Sequence, residues 1–168
     1  MISSLRFVFL MLGPMFTRIK KAPYVPSFKS HIQLMKDKLK IKKDKKIVDL
    51  GCGDGKALRL FAKYFNAQCE GYDFNPFALQ WGRILNRYHK ASNIKMIRSA
   101  FEKADLKKYD YVYVYLFPNQ LADIEIWIFE NIKKDAIIIS NSFKFAKHKP
   151  FDTIKNDKGR DIIFLYKK

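Results

Sequence analysis

Residues 47–55 read Ile-Val-Asp-Leu-Gly-Cys-Gly-Asp-Gly, and no other stretch restricts the fold of this chain as strongly. An apolar run enters three glycines at alternate positions, Gly51, Gly53 and Gly55, and a helix-like segment from Lys56 to Tyr64 follows. Glycine is needed where a chain takes positive φ or lets a ligand lie against bare backbone. A strand, a glycine turn and a helix N-terminus in that order form a nucleotide-type cradle at the carboxyl edge of a parallel sheet. The spacing excludes two such cradles. Lys56 stands where the dinucleotide pattern G-x-G-x-x-G needs its third glycine, and no G-K-[ST] follows to make a P-loop.

The rest of the chain alternates between strand and helix patterns. A helix is expected from Phe28 to Lys40, capped by Ser27, with Ile32, Leu34, Met35 and Leu39 on an uneven apolar face. Strands are expected at Lys46 to Leu50, Gln68 to Tyr72, Ile94 to Arg98, Tyr111 to Phe117 and Ala136 to Ser140. Helices fall between them at Gly55 to Phe65, Pro76 to His89 and Gln120 to Ile132. The first of these helices turns Leu58, Phe61, Ala62 and Phe65 inward. Near the C-terminus, Phe151 to Asn156 and Asp161 to Tyr166 flank the turn signal Asp157-Lys158-Gly159-Arg160 and read as a hairpin. Such alternation predicts an α/β fold: a doubly wound, mostly parallel, Rossmann-like sheet covered on both faces, with an antiparallel hairpin at the end.

The second strand ends at Tyr72-Asp73-Phe74-Asn75-Pro76. An acid at that tip, about 20 residues past a glycine turn, can accept hydrogen bonds from both ribose hydroxyls of an adenosine. Asn75 reads instead as the cap of the next helix, which Pro76 suits at an early position. Asp49 closes the first strand, where its carboxylate either faces a cationic ligand or braces the turn. The pattern D-x-G-x-G-x-G, with strand and second acid, resembles the first motif of class I S-adenosylmethionine-dependent methyltransferases. That resemblance makes Asp49, Gly51, Cys52, Gly53, Gly55, Asp73 and Phe74 the expected cofactor contacts.

On the acceptor side, the fourth strand runs into Tyr115-Leu116-Phe117-Pro118, beside the glycine turn in such an architecture. It lacks the Asp/Asn-Pro-Pro-Tyr/Phe signature of enzymes that methylate planar amide or base nitrogens. The rings of Tyr115 and Phe117 read either as contacts to a cationic substrate or as core, whereas Tyr111 and Tyr113 read as core. His31, His89 and His148 read as isolated surface residues, and no metal set or nucleophile–histidine pairing is visible.

Composition adds limits. A chain of 168 residues is long enough for one domain with a real core. Cys52 and Cys69 are too few for a zinc cluster or a disulfide framework and read as reduced, small apolar side chains. The net charge of +17 favours polyanionic partners, nucleic acid or an anionic membrane leaflet, but lysines lie on nearly every segment. The densest run, Lys36 to Lys46, holds seven lysines. Residues 1–21 are read as an apolar and basic arm. Its apolar stretch is shorter than the roughly 20 residues that cross a bilayer. It is expected either to pack on the domain or to anchor at an interface through Arg18, Lys20 and Lys21. Two prolines stiffen Ala22-Pro23-Tyr24-Val25-Pro26-Ser27, and residues 22–168 make the domain.

These residues together resemble a narrower group, the small seven-strand protein-lysine methyltransferases that modify the mitochondrial ADP/ATP carrier and ATP synthase subunit c, with their prokaryotic relatives. The resemblance runs from Lys21 to the C-terminus. It is carried by Ala22-Pro-Tyr-Val-Pro-Ser27 one helix ahead of the glycines, by Asp49-Leu-Gly-Cys-Gly-Asp-Gly-Lys56, by Gly71-Tyr-Asp-Phe-Asn-Pro76 and by a fourth strand ending in Pro118. It implies that Tyr24 to Ser27, including Pro26, folds over the cofactor and forms the acceptor site with Tyr115, Phe117 and Pro118. It implies S-adenosylmethionine as cofactor, a protein substrate with an accessible lysine, and work at a membrane; the two cysteines suit a cytoplasmic chain, either peripheral at a membrane or free of it, and no metal is expected. Where that group usually carries an adenine-binding acid this chain has Ala100, so adenine recognition is expected either to rest on backbone groups and Phe101 or to be weaker; where it carries Arg, this chain has Lys56. RNA methylation and a non-catalytic cofactor-binding module remain as alternatives.

Overall fold

A computed structural model describes residues 29–39 and 41–168. The proline linker with Tyr24 and Pro26, and the arm before it, lie outside the described residues. Helix α1, Lys29–Lys38, buries Ile32 and Met35. Strand β1, Lys46–Leu50, is buried after its first residue. It is followed by α2 (Lys56–Phe65), β2 (Gln68–Asp73), α3 (Pro76–Tyr88), β3 (Ile94–Arg98), β4 (Tyr111–Val114), α4 (Pro118–Asn131), β5 (Ile137–Asn141), β6 (Asp152–Lys155) and β7 (Asp161–Tyr166). Two short 3-10 turns, Phe101–Lys103 and Leu106–Lys108, join β3 to β4.

The strands form one seven-stranded sheet in the order β3-β2-β1-β4-β5-β7-β6. The first five run parallel; β7 lies antiparallel to β5 and pairs antiparallel with β6. The order reverses direction at β1, so a crevice opens between the carboxyl ends of β1 and β4, where open α/β sheets bind ligands. Because side chains alternate along a strand, β1, β4 and β5 feed two cores. Ile47, Tyr113 and Ile139 pack with α1 and α2, while Val48, Leu50, Val112, Val114 and Ile138 pack with α4. All four inward residues expected on α2 are buried.

Two boundaries differ from the sequence reading in a way that matters. Strand β4 stops at Val114 instead of reaching Phe117, and α4 starts at Pro118 instead of Gln120. Proline fits the first helical position because its missing N–H has no partner there and its φ is already helical. The Phe117 backbone N–H then donates to the Gln120 side chain at 3.4 Å. Residues 115–117 are therefore free to curve over the sheet edge rather than pair within it.

The reading of isolated histidines is corrected at two places. His31 hydrogen-bonds Asn141 at 2.8 Å through Nδ1. His148 bonds the fully buried Glu125 through Nδ1 at 2.8 Å and stacks on Phe129 with ring centroids 3.5 Å apart. Glu125 also accepts the backbone N–H groups of Ala146, Lys147 and His148. A buried carboxylate would be costly without such donors. Here it ties the segment after β5 to α4. Both cysteines are buried and unpaired, as expected.

Candidate cofactor and acceptor site

The glycine turn is built by what each residue cannot have. Gly51, Gly53 and Gly55 all lie at positive φ, +84°, +54° and +72°. A Cβ on Gly51 would sit 3.0 Å from the Leu116 side chain, so space as well as φ selects glycine there. The backbone N–H groups of Gly51 and Cys52 both donate to the Tyr72 carbonyl, at 2.9 and 3.0 Å. That pair of bonds fastens the turn to the end of β2. Cys52 is buried, and its neighbours leave Gly71 no room for a Cβ, which would lie 2.7 Å from the Cys52 Sγ.

Asp73 closes the arrangement from β2. Its Oδ2 accepts the Gly53 N–H at 2.8 Å and its Oδ1 accepts the Asn75 N–H at 2.8 Å. Each carboxylate oxygen can take a second donor. Asp73 is half-buried, with Phe74 beside it 42% exposed. Asn75 caps α3, its Oδ1 accepting from Phe77 and Ala78 as expected for a cap. Ser99 N–H donates to the Asp73 carbonyl at 3.2 Å, which places Ala100 and Phe101 at the neighbouring strand end, both half-buried.

Three carboxylates surround this turn, and among the described residues only Asp54 has a cation. Asp54, 1% exposed, pairs with Arg59 of α2 at 3.3 Å. Arg59 also donates to the Asp54 carbonyl at 2.6 Å and to Asn86 of α3 at 3.1 Å. Sequence reading missed this clamp; the acid five positions before an arginine across a helix start was its only signal. Asp49, 3% exposed, has no such partner among the described residues. Burial pushes its carboxyl well above the usual carboxylate range, and the charges of Asp73 and Asp54 push it the same way. A buried acid facing two others is a place where a ligand cation is welcome.

That imbalance yields a prediction with opposite signs for its two readouts. A carboxyl whose folded pKa is raised binds more protons folded than unfolded, so it costs stability as pH rises past its unfolded value of about 3.9. Asp49→Asn is therefore expected to raise the melting temperature of the ligand-free protein at pH 7 and to flatten its pH dependence. Affinity for S-adenosylmethionine is expected to drop about tenfold, the scale of one lost charge contact. If the variant melts lower instead, Asp49 braces the turn and does not face a cation.

On the acceptor side, Tyr115 is half-buried against the core shared by α1 and α2. Phe117 is 36% exposed, and Pro118 is the first residue of α4. Phe117 pairs with Phe143, which follows β5, at 6.1 Å between ring centroids. Tyr113 and Tyr111 pack in the core as expected. The structure places Asp49, Gly51, Cys52, Gly53, Gly55, Asp73 and Phe74 at or just after the carboxyl ends of the paired strands β1 and β2, and Tyr115, Phe117 and Pro118 just after the neighbouring β4. No group of three or more metal-ligating side chains occurs among the described residues. No helix of the described residues is long and apolar enough to cross a membrane.

Strand order, glycine turn and carboxylate tip define a class I S-adenosylmethionine-dependent methyltransferase. Residues 49–152, more than half of the chain, match the model of the ANTKMT methyltransferase domain, and the chain belongs to that family. It is 22% identical over 152 residues to a protein-lysine N-methyltransferase of Saccharolobus islandicus (strain REY15A), covering 88% of this chain and 94% of that one. Its fold is similar to that of an RNA methyltransferase from Salinibacter ruber solved with S-adenosyl-L-homocysteine, with TM-score 0.76, 21% identity, and 85% and 93% of the two chains covered. It is also similar in fold to precorrin-6y C5,15-methyltransferase from Geobacter metallireducens GS-15, with TM-score 0.60, 17% identity, and 78% and 70% covered.

Proposed function

We propose that this enzyme methylates the ε-amine of a lysine on a protein. The observation that carries the reading is the aromatic segment Tyr115 to Pro118 that follows β4, on a chain of the ANTKMT methyltransferase family. A flexible alkylamine needs an apolar passage and an exit for its proton, not a row of planar hydrogen-bonding groups. The name of the Saccharolobus relative supports the same acceptor class.

The residues fit the cofactor. Asp73 has an acceptor position left on each oxygen for the ribose hydroxyls, the bare backbone of Gly51 to Gly55 lies alongside, and the cationic end of the cofactor would favour the ionised form of Asp49 that burial otherwise opposes. Phe74, Ala100 and Phe101 border the adenine side. When bound, S-adenosylmethionine supplies an electrophilic methyl group: the amine lone pair forms the new N–C bond, the S–C electron pair stays on sulfur, and the nitrogen's proton leaves to solvent. The protein's own part is alignment and water exclusion. Desolvation near Tyr115 and Phe117 favours the neutral amine that can attack. Tyr24 and Pro26 complete the acceptor side in this reading. Attachment to an anionic membrane on the cytoplasmic side belongs to it too, supported by the charge of +17 and the apolar run Phe7 to Leu12.

RNA methylation is the second reading, favoured by that charge and by the name of the Salinibacter neighbour. Lysates are incubated with the enzyme and methyl-labelled S-adenosylmethionine, then digested with protease or nuclease. Label is expected to resist nuclease, vanish with protease and elute as methyl-lysine after hydrolysis. Label that survives protease but not nuclease overturns the lysine reading. Cofactor binding with no label in any fraction makes the chain a binding module.

A further inference from the structure

The carboxyl end of β5 carries a turn whose construction the cofactor site does not require. Asn141 is fully buried, its Nδ2 donating to the Tyr113 hydroxyl at 2.8 Å. Its Oδ1 is bonded by His31 of α1 and accepts from the Ser142 hydroxyl at 3.2 Å. Ser142 then adopts φ +70°, a left-handed conformation that costs a non-glycine residue about 1 kcal/mol or more. Three contacts hold it there: the Ser142 N–H on the Ile162 carbonyl at 2.7 Å, the Ser142 hydroxyl on Asn141, and the Ser140 hydroxyl on the Phe143 carbonyl at 2.6 Å. The result of this turn is the placement of Phe143 against Phe117.

The two rings come from separate strand ends and are inclined at 38°, so their planes diverge on one side. Phe143 is half-buried and Phe117 is 36% exposed, unlike the closed aromatic packing of Phe129, Phe145 and Tyr166 below them. A pair of ring faces attracts a cation by about 0.5–1 kcal/mol when partly exposed. That is worth less than one pKa unit, about 1.4 kcal/mol. Rings can therefore hold an alkylammonium while leaving its deprotonation accessible, which a carboxylate partner would oppose more strongly.

We propose that Phe143 completes an alkylammonium subsite with Phe117, so that the carboxyl end of β5 selects the acceptor alongside that of β4. The proposal rests on the lysine reading for its occupant but not for its chemistry. Rings of this kind hold a methylated ammonium as well as an unmethylated one, so the subsite serves successive transfers to the same nitrogen.

The test uses the full chain, saturated with S-adenosylhomocysteine and carrying ring-labelled phenylalanine for NMR. Choline and its neutral isostere 3,3-dimethyl-1-butanol are titrated separately. Choline is expected to shift the Phe117 and Phe143 ring signals saturably, with the neutral alcohol about two- to fivefold weaker. Phe143→Leu keeps most of the apolar bulk and loses the ring, and is expected to weaken choline about two- to threefold while the fold is retained with at most a few degrees' loss of melting temperature. Equal binding of choline and the alcohol, or undiminished choline binding in Phe143→Leu, overturns the proposal. If the unsubstituted chain fails to bind S-adenosylhomocysteine, the methyltransferase reading fails separately; the choline titration then runs without it and is judged by the same outcomes.

Discussion

Asp73→Ala is expected to weaken binding of S-adenosylhomocysteine by about a hundredfold. In the proposed cofactor orientation the variant would lose two charge-assisted hydrogen bonds to ribose, each worth about 1.5–3 kcal/mol, and about 3 kcal/mol is two powers of ten in affinity. A second loss adds to it. The same carboxylate accepts the N–H groups of Gly53 and Asn75, so the turn and the start of α3 are both loosened. Stability is expected to fall by about 1–2 kcal/mol, the cost of leaving such donors unpaired. Calorimetric titration measures the first effect and thermal melting the second. Asp73→Asn separates them, because its amide oxygen keeps one backbone bond while the negative charge is gone. Unchanged affinity in a folded Asp73→Ala protein removes Asp73 from the ribose site and takes the proposed cofactor orientation with it.

Gly82→Ala is expected to be the most damaging small substitution for stability, at about 3 kcal/mol or more, the upper range for overpacking. In an ordinary helix the change would help by nearly 1 kcal/mol. In α3 the added Cβ would lie 2.5 Å from the Asp54 carbonyl oxygen and 2.6 Å from the Met96 methyl. The methionine can move, but the carbonyl cannot do so cheaply. It belongs to the glycine turn and already accepts from Arg59 at 2.6 Å. The variant is expected to melt about 6–12 °C lower, at about 2–4 °C per kcal/mol for a chain of this size. It should also bind cofactor more weakly, since relief of the clash must displace the turn. Gly159, at φ +72° with no atom within 4 Å of an added Cβ, provides the comparison. There an alanine meets only the left-handed backbone cost of about 1–2 kcal/mol and leaves the cofactor site alone. A Gly82→Ala protein as stable as the parent would mean that α3 can lift away from the turn.

Both variants concern the same physical object, a loop held from two sides. From β2, Asp73 and the Tyr72 carbonyl take its N–H groups. From α2 and α3, Arg59, Asn86 and the bare Cα of Gly82 fix Asp54. Among the described residues Asp49 is left with neither a counter-charge nor a backbone donor of the kind that Asp73 has. A loop rigid before its ligand arrives loses little conformational freedom on binding, which leaves more of the contact energy for affinity.

The sequence by itself determined the strand–turn–helix cradle, because Gly51, Gly53 and Gly55 encode positive φ locally and apolar period decides β1 and α2 without help from distant residues. It determined Asn75 as a cap and the Asp157–Arg160 hairpin turn for the same reason: each is satisfied by bonds within a few positions. Tertiary structure decided what depends on partners far along the chain. The Asn141 contact of His31 spans 110 positions and the Glu125 contact of His148 spans 23, so neither histidine could be seen as anything but isolated in the sequence. The end of β4 was decided by Pro118 starting a helix whose inner face packs on the sheet, not by the β-branched and aromatic run that precedes it. The pairing of Phe117 with Phe143 joins two strand ends that only the sheet order makes neighbours, since hydrogen-bonded register, unlike local propensity, is set by the whole sheet at once.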